Sequence, residues 1–248
     1  MIILGIETAT EICGIALTNN GTHLDECLRE EKHIHAEQLL PMVEHLLKKN
    51  CTELASLDGI AVSIGPGSFT GLRIGLSVAK GLAESVNLPL VAVPTLTSVA
   101  FALNNTLMAR EQTIVSVSEL QRDEFAVAIF ASHEFSENNF AAINVLPIKA
   151  FPEKAKKYFE QFSERTLLCG PGSEKIFRWI LENLSRQHNV TLAETEFRKC
   201  NPRFVSAYGE MMLHKNAIAD IPSLQPFYGK DFVAKQSTIF ARITREQQ

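Results

Sequence analysis

The sequence predicts an α/β protein of two similar lobes, each a mixed sheet flanked by helices, on three observations. Residues 1–28 carry three consecutive strand patterns joined by short turns. Gly59–Val93 reads as strand, helix and strand, a unit whose two strands should be parallel. The second half then echoes the first, with Gly170-Pro171-Gly172-Ser173 matching Gly65-Pro66-Gly67-Ser68 between a short apolar strand and a helix.

Met1–Thr8, Ile12–Thr18 and Thr22–Leu28 are the three strands of an antiparallel meander, and Asn19-Asn20-Gly21 supplies the hairpin turn between the second and third. His35–Lys49 sets Leu39, Leu40, Val43, Leu46 and Leu47 at helical spacing, with Pro41 early enough to be tolerated. Gly59–Ile64 is short, apolar and partly β-branched, as a buried strand should be; Phe69–Val86 is a helix, Leu90–Val93 a strand and Thr95–Leu107 a further helix. In the second half Thr113–Val117, Glu124–Ala131, Ala141–Leu146 and Thr166–Cys169 are strands, while Pro152–Phe162, Ser173–Leu184 and Val205–His214 are helices. This order is that of the actin, hexokinase and Hsp70 type of fold. The polar stretch Asn104–Gln112 divides the chain into an N-terminal lobe, 1–108, and a C-terminal lobe, 109–248, whose tail helix is expected to pack back on the first. Arg245–Gln248 reads as a frayed end.

Composition narrows the functional classes. The 248 residues are 46% apolar and 21% charged, ordinary for a globular protein, and the net charge of −4 offers no global attraction to nucleic acid. Lys154, Lys156 and Lys157 form the densest basic group, and their spacing with Phe151, Tyr158 and Phe159 suits the wet face of an amphipathic helix. Five widely spaced cysteines without a Cys-x-x-Cys pair fit neither a disulfide framework nor a zinc knuckle. Glu7 interrupts the first apolar stretch, no basic region precedes it, and no apolar run reaches membrane length, so a reducing cytoplasm is expected.

The glycine-rich turn allows two chemistries. The backbone N–H groups of Gly67, Ser68 and Phe69, after Gly65 and at a helix N-terminus, suit a phosphate or carboxylate, with Arg73 one turn further in. Alternatively Gly65, Gly67 and Gly71 serve only positive φ angles and close packing, and Ser68 caps the helix. The run is neither a Walker A loop nor Gly-x-Gly-x-x-Gly.

Other catalytic constellations fail. His35 and His45 are ten residues apart on one helix, about 15 Å, too far to share a metal, and His33 and His35 suit helix capping or solvent. No Gly-x-Ser-x-Gly elbow surrounds Ser63 or Ser68, and Cys13 and Cys169 fall in buried strands. Glu7, at the end of the first strand, is either a carboxylate facing an inter-lobe cleft or a turn and cap group. No catalytic or metal-binding residue is therefore assigned.

Gly65-Pro-Gly-Ser-Phe-Thr-Gly-Leu-Arg-Ile-Gly75, followed by Ala79-Lys-Gly-Leu-Ala83, resembles the most distinctive sequence of the bacterial TsaB (YeaZ) family, part of the machinery that forms threonylcarbamoyladenosine in tRNA. Ile3–Ala9 and His35–Pro41 resemble two further family segments, and the likeness is good over residues 1 to about 100. Beyond, it thins. Glu7, Ala9 and Gln121 stand where the family usually has Asp, Ser and Arg, and Pro226–Lys230 resembles a family Pro-x-Tyr-Leu-Arg.

The resemblance implies a non-catalytic paralogue of the transferase TsaD. The metal-binding His-x-x-x-His pair of TsaD falls on Thr95 and Val99 here, and valine cannot coordinate a metal. It implies docking on TsaD through first-lobe helices, for which Leu72, Leu76, Ala79, Leu82, Ala83, Leu39 and Val43 are the candidate contacts, with a TsaE-like ATPase joining the complex. Contact with tRNA would then be indirect, and no cofactor is intrinsic; a nucleotide would sit at the junction between subunits. Peptidase activity has no support in these residues. Two alternatives stay open: an ATP-binding phosphotransferase of the same fold, for which Glu7-Thr8-Ala9-Thr10-Glu11 lacks a glycine turn, and a homodimer acting without TsaD.

Overall fold

The computed structural model describes residues 1–106, 112–120, 124–131, 144–147, 165–183 and 189–229. Strands β1 (Ile2–Glu7), β2 (Ile12–Asn19) and β3 (Thr22–Glu30) open the chain, followed by α1 (His35–Lys49), β4 (Gly59–Gly65), α2 (Phe69–Val86), β5 (Leu90–Pro94) and α3 (Thr95–Thr106). The second half contains β6 (Thr113–Glu119), β7 (Glu124–Ala131), β8 (Asn144–Pro147), β9 (Thr166–Cys169), α4 (Ser173–Asn183), β10 (Val190–Leu192) and α5 (Pro202–His214).

The strand orders, β3-β2-β1-β4-β5 and β10-β9-β6-β7-β8, are one topology used twice. In each sheet the first three strands are antiparallel and the first, fourth and fifth are parallel. The repeated glycine-proline turn follows the fourth strand of each sheet, so the two-lobed fold of the actin, hexokinase and Hsp70 type is present in the chain's own duplication. The first hairpin turns at Asn20 and Gly21, both at positive φ (48° and 74°), as a two-residue turn matching strand twist requires.

Alternation along the strands sorts side chains into layers. Leu4, Ile6, Ile60 and Val62 point to α1 and α2, packing with Leu39, Val43, Leu46, Leu76 and Ala79. On the opposite face Ile3, Ala61 and Val91 join α3, α5 and the inner face of the second sheet (Ile114, Ala126, Phe130) in one continuous core. Val115, Val117 and Leu168 pack outward against Ile176 and Ile180 of α4. The order is thus α1/α2, sheet, α3/α5, sheet, α4, and the middle helices belong to both halves.

Several expectations needed adjustment. The last helix starts at Pro202, three residues before the predicted Val205, because Asn201 caps it through a bond from the Arg203 N–H (2.9 Å) and Pro202 occupies the first turn. Strand β10 and the 3-10 turns Leu54–Ser56 and Thr195–Arg198 are too short to show periodicity. The predicted helix Pro152–Phe162 with its lysines, Gln121, residues 107–111 of the lobe boundary, Lys230 and Arg245–Gln248 lie outside the described residues. No helix among the described residues is long and apolar enough to cross a membrane.

Candidate interaction site at the glycine turn

The turn after β4 is packed from beneath by the chain itself. Gly65 has φ of +116°, and a Cβ there would run into the Phe227 carbonyl. Gly67 and Gly71 lie against the carbonyl oxygens of Ala9 and Thr8, and Gly75 against the Thr8 hydroxyl, so α2 approaches the loop after β1 at backbone distance. The Ser68 N–H donates to the Ala9 carbonyl (2.7 Å), and its hydroxyl accepts from the Gly71 N–H (3.2 Å), making the expected cap.

The Ser68 amide is thus engaged within the chain, which corrects its part in the expected anion cradle; at Gly65 and Gly67 the close-packing alternative is met, with a carbonyl oxygen standing where each Cβ would be. Phe69 and Arg73 are placed differently. Both are exposed, and the Arg73 guanidinium lies 3.8 Å from the Phe69 ring centroid while its Nε donates to the Tyr228 hydroxyl at 2.9 Å.

The docking expectation is corrected as well. Leu72, Leu76, Ala79, Ala83, Leu39 and Val43 are at most 4% exposed and fill the core between helices and sheet. Only Leu82 of the seven reaches the surface, half-buried. The apolar periodicity identified the inner stripe. The outer one carries Ala36, Leu40, Pro41 and Glu44 on α1, and Thr70, Arg73, Ser77 and Gly81 on α2, with Ile74 and Val78 half-buried. Leu40, 53% exposed one position after Leu39, is the residue that helical phase could have singled out.

Glu7 is fully buried. Its Oε1 accepts from the Ala9 N–H (2.6 Å) and the Ser63 hydroxyl (3.1 Å), while Oε2 has no partner. Loss of hydration pushes its carboxyl up to about 7, and the two hydrogen bonds only partly oppose that shift. It is the turn and cap group of the two alternatives. His35 is also buried, correcting the capping or solvent reading: its Nε2 lies 3.2 Å from the Ile12 carbonyl and ties α1 to β2.

Between the lobes an open cleft of about 200 Å³ is lined by Thr10, Glu11, Ile12, Glu30, Pro171, Lys199 and Cys200. Lys199 from the second half reaches Glu30 on β3 at 2.6 Å, and Lys32 holds Glu11 at 3.1 Å. Thr95 and Val99 are wholly buried. Burial pushes the Cys13 thiol up to about 11 and that of Cys169 up to about 12, so neither is a poised nucleophile. Among the described residues no group of three His, Cys, Asp or Glu could hold a metal ion.

Residues 29–128 match the family described as TsaD, tRNA N6-adenosine threonylcarbamoyltransferase. The tRNA threonylcarbamoyladenosine biosynthesis protein TsaB of Escherichia coli (strain K12) is 46% identical over 103 residues, 40% of this chain and 43% of that protein. The TsaB protein of Buchnera aphidicola subsp. Schizaphis graminum is 34% identical over 179 residues, covering 71% of this chain and 81% of the relative. The chain belongs to the TsaB family. Against the first such relatives it spans about half their length, 42% to 53%. The solved structure of YeaZ from Pseudomonas aeruginosa has the same fold, with a TM-score of 0.72 at 23% identity over 92% of this chain and 99% of that one. TsaB-family membership thus rests on sequence, while the likeness to YeaZ establishes architecture.

Proposed function

We propose that this chain is a non-catalytic accessory subunit in the formation of threonylcarbamoyladenosine in tRNA, pairing with a TsaD-like transferase and supporting association of a TsaE-like ATPase. The inter-lobe cleft carries the reading. At about 200 Å³ it falls below the ~300–1,000 Å³ usual for small-molecule pockets, and the Lys199–Glu30 pair spans its two walls. The one cation of that lining, Lys199, is already paired with Glu30, and Glu11 stands in the same cleft, which disfavours the phosphotransferase alternative. On this reading the chain resides in the cytoplasm, meets tRNA only through the complex, and has no intrinsic cofactor; a nucleotide belongs at the subunit junction.

The outer face of α1 and α2 is the proposed docking surface. Leu40 and Pro41 are exposed, Ile74, Val78 and Leu82 are half-buried, and a Cβ on Gly81 would meet nothing within 4 Å, leaving room for a helix to approach closely. A second copy of this chain is the alternative occupant of the same face.

Reconstitution tests this. The transferase, the ATPase and tRNA should form the modified nucleoside only when this chain is added, and Gly81→Arg should abolish both co-purification and product without lowering the unfolding midpoint. Robust ATP turnover or product formation by the chain alone would overturn the proposal, as would full activity without it.

A further inference from the structure

Several surface cations of this protein are neutralised within the chain: the exposed Lys32, Lys49, Lys175 and Lys199 and the half-buried Arg203 each lie within ion-pair distance of a carboxylate. Arg73 pairs with no carboxylate among the described residues and is held by aromatic groups instead. Its guanidinium carbon is 3.8 Å from the Phe69 centroid and 6.0 Å from that of Tyr228, and the two rings lie 5.0 Å apart. The bond from Nε to the Tyr228 hydroxyl fixes the rotation of the fork.

Tyr228 is itself anchored. After α5 the chain binds the start of β5 through the Ala219 N–H and the Leu90 carbonyl (2.8 Å), and packs Ile221 and Leu224 on the first-lobe core. It then joins the end of β4 through the Phe227 N–H and the Ile64 carbonyl (2.7 Å). Arg73 has therefore given up on folding much of the side-chain freedom a surface arginine loses on binding. Nε is used, and one N–H from each of the two terminal nitrogens remains to form the end-on edge that matches a carboxylate.

We propose that the Phe69–Arg73–Tyr228 clamp is a preorganised docking point for a carboxylate on the surface of a partner protein. The proposal rests on the accessory-subunit reading and adds the chemistry of one contact to it. A protein carboxylate fits better than an RNA phosphate. The fork lies against the exposed ring of Phe69 (39%) and the half-buried ring of Tyr228, Lys80 is the only other basic residue on α2, and the chain carries a net charge of −4. A polyanion calls for several cations along a track, whereas one fork in an apolar surround is the composition of a protein-interface hot spot.

Affinity of the full chain for the transferase, measured at low and high salt, tests the clamp. Arg73→Ala should weaken binding about tenfold or more and flatten its salt dependence; Arg73→Lys should recover only part, and Tyr228→Phe should lose a few-fold because the fork is no longer fixed. Unfolding midpoints report the fold, and Tyr228→Phe keeps the ring if Arg73→Ala proves unstable. Unchanged affinity in both variants overturns the clamp and leaves the accessory reading standing; no binding by the wild-type chain removes both. If Arg73→Ala lowers retention of tRNA by the isolated chain but not binding of the transferase, the ligand is a phosphate and the proposal is wrong.

Discussion

Helix α2 has two faces that the sequence makes look alike and the structure makes opposite. The inner face, Leu72, Leu76, Ala79 and Ala83, is packed against the first sheet and α1, while the outer face, Thr70, Arg73, Ser77 and Gly81, meets solvent. Ile74, Val78 and Leu82 lie between them, half-buried, and make the helix read as apolar nearly all round. A helix rich in apolar residues therefore need not have a second buried face. Its flanks can be shielded by neighbours, leaving a narrow outer strip in which Arg73 is the one large side chain.

The strongest way to break this comparison is to place a charge on each face. Leu76→Glu and Ala79→Glu each put an unpaired carboxylate at a site at most 4% exposed, which costs about 3–5 kcal/mol or more out of the ~5–15 kcal/mol that holds a typical domain. Both variants should be insoluble or melt far below the wild type. Ser77→Glu, on the exposed side, should stay within about 0.5 kcal/mol of wild type in urea unfolding. If Ala79→Glu unfolded at the wild-type midpoint, the assignment of the inner face would be wrong.

A second test concerns the loop that α2 rests on. Glu7 has a folded-state pKa of about 7 against an ordinary value of 4.5, so the native state keeps a proton that the unfolded chain releases. Its contribution to stability is fully present below pH 4.5, is lost progressively between 4.5 and 7, and is constant above that, a total of at most about 3 kcal/mol. Glu7→Gln has the shape of the protonated acid and keeps an acceptor for Ser63 and Ala9. Its stability should match wild type near pH 4.5 and exceed it at pH 8. Parallel pH profiles for the two proteins would show that Glu7 does not titrate in this range.

Much of this was legible in the sequence because the fold is built from strong local signals. Strand alternation, the Asn20-Gly21 turn and the Ser68 cap depend on neighbours in the chain, and each stands within a residue or two of where the pattern put it. The site was less legible. That Gly67 lies on the Ala9 carbonyl, that Phe227 covers Gly65, and that Tyr228 fixes Arg73 depend on residues 58 to 162 positions apart, and a glycine turn reads the same whether its amides are open or engaged. The error over Leu72, Leu76 and Ala79 arose similarly. Helical periodicity reports which residues share a face and is silent on whether that face meets a partner or the chain's own sheet.

The smallest effect sharpens the comparison most. Gly81 is the one glycine of α2 where a Cβ would meet nothing within 4 Å, and it sits inside an 18-residue helix, where glycine costs backbone entropy without a packing return. Gly81→Ala should therefore raise stability by about 0.8–1 kcal/mol, a gain readable as a shift of the urea midpoint at unchanged slope. At Gly75, also in α2 but facing inward, the same substitution would drive a methyl into the Thr8 hydroxyl and should destabilise. Opposite signs for one chemical change, six residues apart on a single helix, would separate the face that builds the fold from the face left for a partner. If Gly81→Ala also weakens transferase binding, the absent side chain at that position is there for close helix approach.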